Sequence, residues 1–216
     1  MIQPTEFHNF GYLLADIPEE LSTILNEEAT YIQNNFDKSI LYTANLAGHI
    51  KHEYKLKTSQ PMLEQYVLGL SREYNNHTNY YSKIDLLNMN VPMRIEHPWI
   101  NFQSKTEFNP IHNHQGILSF VIWLKIPYDL ETEFKEGPGQ YRGPDKVPLN
   151  SSFQFLYVNS LGQIATHQIP VDKSYENKII LFPAKMMHCV YPFYTSDDYR
   201  ISVSGNIMLD VASYVK

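Results

Sequence analysis

Apolar residues in the first third of the chain recur at helical spacing. Over residues 18–36, Ile17, Leu21, Ile24, Leu25, Ala29 and Ile32 fall on one side of a 3.6-residue repeat, with Glu19 and Glu20 in the first turn, where the helix dipole favours acids. A second helix is predicted over 61–74, with Leu63, Tyr66, Val67, Leu70 and Tyr74 along one side and Ser59 as its cap. The connection, 40–54, reads as a partly apolar loop. From Val91 the pattern changes to short strands separated by turn residues, at 93–102, 111–115, 117–126, 152–158, 162–171, 178–182, 188–193 and 199–210. Such a series predicts a mainly β sandwich or barrel, with the two helices laid on one outer face. Residues 131–149, with Gly137-Pro138-Gly139 and Gly143-Pro144 and little apolar content, read as a long loop of the kind that forms lids and binding loops.

Composition narrows the picture. The 216 residues are enough to bury a full core and show no repeat or linker, so one domain is expected, 1–90 as helical support and 91–210 as the β core. A net charge of −6 without a Lys/Arg cluster speaks against a nucleic-acid backbone as the main partner. The single cysteine, Cys189, cannot form an internal disulfide, and alternation turns it away from His188, so it reads as a buried thiol. Met1 to Phe7 carries no basic-then-apolar leader, and the longest apolar run, 117–124, is too short to span a bilayer as a helix. A cytoplasmic protein with no membrane partner is the expectation.

The candidate chemistry centres on Asn109-Pro110-Ile111-His112-Asn113-His114-Gln115-Gly116. On an extended chain the two histidines share a face, with Cα atoms about 6.5–7 Å apart, so both imidazoles can reach one metal ion. A third ligand can come from His188, at the edge of another β-rich run. Arg200 and Ser202 share a face of the last strand, a guanidinium fork with a hydroxyl beside it, suited to a carboxylate. His49 and His52, three apart, read as exposed or capping residues, with substrate contact as the alternative.

These pieces together resemble the Fe(II)/2-oxoglutarate-dependent oxygenases, and most of all the subgroup widespread in phages. The matching residues are Trp99-Ile100-Asn101, His112-Asn113-His114, Ser119 to Trp123, Leu181-Phe182-Pro183 followed by His188, and Arg200-Ile201-Ser202 with Asn206, spanning 97–210. The resemblance implies a double-stranded β-helix (jelly roll) with N-terminal helices packed on one sheet. It implies His112, His114 and His188 as Fe(II) ligands and Arg200 as the partner of the distal 2-oxoglutarate carboxylate. Ser202, Asn101, Ser119 and Trp123 would line the cosubstrate pocket. The implied reaction is hydroxylation with release of succinate and CO2, in the host cytoplasm if the chain is phage-encoded.

One position departs from the usual two-histidine, one-carboxylate triad, since His114 stands where the acid is expected. Asp129, Glu131 and Asp145 are the carboxylates that can approach from the following loop. Three other readings stay open. One is a three-histidine, cupin-type oxygenase without 2-oxoglutarate; another is a zinc site of the carbonic anhydrase kind; the last is a non-enzymatic jelly-roll phage protein. Substrate and oligomeric state are not legible.

Overall fold

The computed structural model describes residues 9–84, 91–138 and 147–214. Two antiparallel sheets face one another. The strands in chain order are β1 Leu13–Asp16, β2 His52–Lys55, β3 Met93–Gln103, β4 Asn109–His112, β5 Leu118–Lys125, β6 Phe153–Val158, β7 Ile164–Ile169, β8 Lys178–Pro183, β9 Met187–Val190 and β10 Arg200–Leu209. The large sheet runs β1-β8-β5-β10-β3-β2 and the small one β4-β9-β6-β7. All eight expected strands are present, most of them shorter than their apolar runs.

The apolar run from Ile117 to Leu124 forms β5 because that strand is central and covered on both faces, which removes the need for polar alternation. Its Phe120 and Ile122 join a core beneath two helices, α1 (Glu19–Gln33) and α2 (Gln60–Thr78), together with Leu21, Leu25, Leu63, Val67 and Phe102. The alternate residues Val121 and Trp123 join a second core between the sheets, with Phe153, Phe155, Ile180 and Phe182. The helices therefore cover the outside of the large sheet, as expected, and leave its inner face for the site. Among the described residues no helix is long and apolar enough to cross a membrane.

Three features differ from the expectation. The N-terminal region is more than helical support, because β1 pairs with β8 and β2 with β3 in the large sheet. Each is only four residues long, too short to show a period. The 131–149 loop contains a short helix, α3 (Leu130–Glu136), capped by Asp129; residues 139–146, with Gly139, Gly143, Pro144 and Asp145, lie outside the described residues. Ser59 does precede α2 but does not cap it: its hydroxyl donates to Glu28 at 2.6 Å. Glu28 accepts the N–H groups of Lys57, Thr58 and Ser59 at 2.7, 3.0 and 2.8 Å, so a distant helix supplies an anion to the turn that leads into α2.

Gly116 joins the His-x-His segment to β5 with φ at +92°, and a Cβ there would come within 2.5 Å of the Ile207 carbonyl oxygen. Gly116→Ala is therefore expected to cost about 2–3 kcal/mol, from backbone strain and the clash together. Thermal unfolding checks this; an unchanged midpoint would show that the turn relaxes freely.

Candidate functional site

β4 and β9 are neighbours in register at His112 and His188, so those two side chains leave the small sheet on one face. His114 lies two residues beyond β4, held by its own N–H on the Ala184 carbonyl at 2.8 Å. The result is a cluster whose ligand nitrogens all lie within 4.8 Å of one another. Ring centroids are 4.3 Å apart for His112 and His188, and 4.9 Å for His114 and His188.

Hydrogen bonds set which nitrogen is available. The Nδ1 of His112 contacts the Pro110 carbonyl at 2.7 Å, and that of His188 contacts the Met186 carbonyl at 3.0 Å. A carbonyl only accepts, so Nδ1 carries the proton and Nε2 presents its lone pair to the cluster. The Nε2 atoms of His114 and His188 stand 3.2 Å apart. Imidazole–metal bonds of about 2.1 Å at right angles place their nitrogens about 3 Å apart, so this spacing fits two ligands of one ion.

Burial lowers the pKa of all three imidazoles. His114 is pushed down to about 3, first by burial and then by His112 and Lys185. His188, 1% exposed, is held well below the usual range by burial and by His112 and His114. His112 is lowered by burial, opposed in part by the Pro110 carbonyl. The neutral form that binds a metal is thus the form present at neutral pH. His188 is also clamped, stacked on Phe153 at 5.1 Å and met edge-on by Phe182 at 5.0 Å.

The cluster opens into a cavity of about 480 Å³, whose floor is the inner face of the large sheet. Register explains its lining: Arg200 pairs with Gln103, Ser202 with Asn101 and Trp123, and Ser204 with Trp99 and Val121, and all of these face the cavity. Arg200 is 2% exposed and spends all five N–H donors on the protein. They go to Gln103 Oε1 (3.1 and 2.7 Å), the Tyr128 hydroxyl (3.0 Å) and the carbonyls of Ser151 (2.8 Å) and Tyr191 (3.0 Å). Every partner is neutral, and Arg200 has no ion-pair partner among the described residues. A buried, uncompensated cation attracts an anion. Ser202 Oγ accepts from Asn101 Nδ2 at 3.2 Å and keeps its own proton free to donate.

The model of the 2OG-Fe(II) oxygenase family, the class that uses iron and 2-oxoglutarate together, matches residues 97–206, half of the chain. The chain belongs to that family. The matched stretch contains all three histidines, Arg200 and Ser202. Solved structures agree on the jelly-roll fold of this oxygenase. A prolyl-4-hydroxylase from Pseudomonas putida superposes with a TM-score of 0.54 at 12% identity, covering 93% of both chains. A prolyl hydroxylase from Trichoplax adhaerens, in complex with a hypoxia inducible factor peptide fragment, gives 0.54 at 10% identity over 96% of this chain and 87% of that one. HygX from Streptomyces hygroscopicus, with nickel, 2-oxoglutarate and hygromycin B bound, gives 0.53 at 9% identity over 93% and 84%. No curated protein matches the sequence.

Of the residues singled out from the oxygenase's sequence, His112, His114, His188, Arg200, Ser202, Asn101 and Trp123 line one cavity. Ser119 does not; it is buried nearby with its hydroxyl on Asn206 Oδ1 at 2.7 Å. Asp129 caps α3 and Glu131 pairs with Lys135, both away from the cluster, and among the described residues no carboxylate joins the three histidines. Cys189 is buried and faces away from His188, as alternation requires. His52 lies on β2, stacked on Phe36 at 4.5 Å, and His49 contacts Phe108; neither lines the cavity. Sequence reasoning missed Gln103, Tyr128 and Glu53. Gln103 was within reach, two residues past Asn101 on the same face, whereas Tyr128 carries no local signal.

Proposed function

We propose that this oxygenase is a hydroxylase in which His112, His114 and His188 hold Fe(II), while Arg200 and Ser202 receive the distal carboxylate of 2-oxoglutarate. The observation that carries the reading is a single cavity containing three converging neutral imidazoles and a buried guanidinium with no ion-pair partner among the described residues. When bound, iron and 2-oxoglutarate supply oxygen activation: the cosubstrate becomes succinate and CO2, one oxygen atom going to succinate and the other into a substrate C–H bond. The chain's own part is to position and to exclude water. Phe153, Phe182, Val121 and Trp123 form a dry wall behind His188. Asn101 holds Ser202 so that its proton can face an incoming carboxylate. Because all Arg200 donors are engaged, the carboxylate must displace the movable acceptors, the Gln103 and Tyr128 side chains, while the Ser151 and Tyr191 carbonyls stay in place.

The reading treats the chain as one domain, since β1 and β2 complete the large sheet, and a reducing cytoplasm suits both Fe(II) and the Cys189 thiol. A second reading is favoured by the missing carboxylate and the fully engaged Arg200: a three-histidine oxygenase that binds its substrate to iron directly. An anaerobic titration of 2-oxoglutarate separates the two. The first reading expects saturable binding of one equivalent to Fe(II)-loaded protein and at least tenfold weaker binding without metal; no binding with metal present supports the second.

A further inference from the structure

Among the described residues, Glu53 is the one carboxylate in the cavity lining. It is 1% exposed, and its Oε1 is buried with no hydrogen-bond partner among the described residues. Register places it beside Asn101, which in turn pairs with Ser202, so Glu53, Asn101 and Ser202 form a row of side chains pointing the same way. Two strand spacings separate Glu53 from Ser202, about 10 Å between backbones. Glu53 therefore sits on the cavity floor, next to Asn101 and two strands from Ser202.

The fold had a cation available to neutralise it and sends that cation elsewhere. Lys55 is two residues along the same face of β2, yet its ammonium lies over the Tyr42 ring at 4.9 Å and forms no ion pair with Glu53. Arg200, in the same cavity, is wholly engaged with neutral acceptors. The other acid nearby, Glu107, only adds repulsion: burial first and Glu107 second push the Glu53 carboxyl up to about 8. Around Glu53 the cavity mouth is aromatic, with Tyr42 and Trp99 tilted together at 6.1 Å, and Trp99 reaches the His114 ring at 5.9 Å. A buried acid without a partner, flanked by aromatic faces, is the chemistry that selects a cation, which binds as the carboxyl gives up its proton. The net charge of −6 favours the approach of one.

We infer that Glu53 is the specificity carboxylate of the cavity, and that the substrate carries an ammonium or guanidinium group which Glu53 holds beside Trp99 while the carbon to be oxidised faces the histidines. This deepens the proposed function and rests on it for the identity of the reaction, though not for the cation site.

The test uses full-length protein without added metal and titrates n-butylammonium and methylguanidinium, with 1-butanol as the neutral counterpart, followed by ligand-observed NMR. Saturable binding of both cations to wild type is expected, at least tenfold weaker in Glu53→Gln and Glu53→Met, with 1-butanol indifferent to either change. Because the carboxyl lacks a partner, both variants should also unfold at or above the wild-type temperature. Cation binding unchanged in the variants overturns the inference, as does a loss of stability in both, which would make Glu53 a residue of the fold. A parallel titration of 2-oxoglutarate into Fe(II)-loaded wild type keeps the two claims apart. Cosubstrate binding without cation selectivity removes this inference alone, and cation selectivity without cosubstrate binding removes the 2-oxoglutarate mechanism and leaves the cation site.

Discussion

Replacing His188 by Ala is expected to abolish metal binding, lowering Fe(II) affinity at least 100-fold and with it any turnover of 2-oxoglutarate. Three ligands are few for a labile divalent ion, and His188 is the one whose orientation is most tightly set. Its Nδ1 is tied to the Met186 carbonyl and its ring is held by Phe153 and Phe182, so its Nε2 lone pair is aimed before the ion arrives. The measurement is thermal unfolding with and without metal. At 100 times its dissociation constant an ion that binds only the folded state stabilises it by about 2.7 kcal/mol, a rise of roughly 5–10 °C in a chain of this size. Wild type should show that rise and His188→Ala none. His112→Ala, at the half-exposed rim, should lose the rise too while disturbing the core less. A variant that keeps the full metal-induced rise would show that the ion sits elsewhere.

Arg200 should show two separable effects. Arg200→Met leaves the Ser151 and Tyr191 carbonyls, Gln103 Oε1 and the Tyr128 hydroxyl without their donor in a buried place, at a cost of about 3–5 kcal/mol and a fall in midpoint of roughly 10 °C. That variant alone cannot separate loss of fold from loss of cosubstrate. Arg200→Lys keeps the charge but not the planar fork. It should be less destabilised, retain the metal-induced rise, and bind 2-oxoglutarate at least tenfold more weakly, because a compact ammonium cannot serve the fixed carbonyls and a carboxylate together. Calorimetric titration of 2-oxoglutarate into the metal-loaded variant reads this directly. Unaltered affinity would mean that the distal carboxylate is bound by another group.

The legible parts of this chain were those governed by local periodicity. Residues 117–124 could only be a strand covered on both faces, and the repeats in 18–36 and 61–74 marked helices with a buried stripe. The site was legible for a related reason. Strand alternation put His112 and His114 on one side, and Arg200, Ser202 and Ser204 on another, and the cavity is where the facing sheets bring those sides together. What stayed hidden depends on partners far along the chain. Glu28 anchors the turn that leads into a helix beginning about thirty residues later, and the hydroxyl of Ser59, the local cap candidate, is spent on it. Glu133 is 0% exposed because it accepts the Tyr194 and Thr195 N–H groups, fixing the approach to β10, yet in sequence it is one more charge in a Gly- and Pro-rich loop. Ser119 shows the limit of alternation: the correct face of β5 was not sufficient, because its hydroxyl is spent on Asn206, which lines the cavity in its place. β2 was hidden by its brevity, and with it Glu53.

Succinate formation tests the central claim most directly. Anaerobically prepared protein is given Fe(II), ascorbate and 2-oxoglutarate, then oxygen, with n-butylammonium present or absent, and wild type is compared with His188→Ala and Arg200→Lys. The account predicts slow succinate release from wild type, none from His188→Ala, and at most a tenth of the wild-type rate from Arg200→Lys at limiting 2-oxoglutarate. Succinate formed at the wild-type rate by either variant, or Fe(II)-loaded wild type that neither binds nor consumes 2-oxoglutarate, would contradict it.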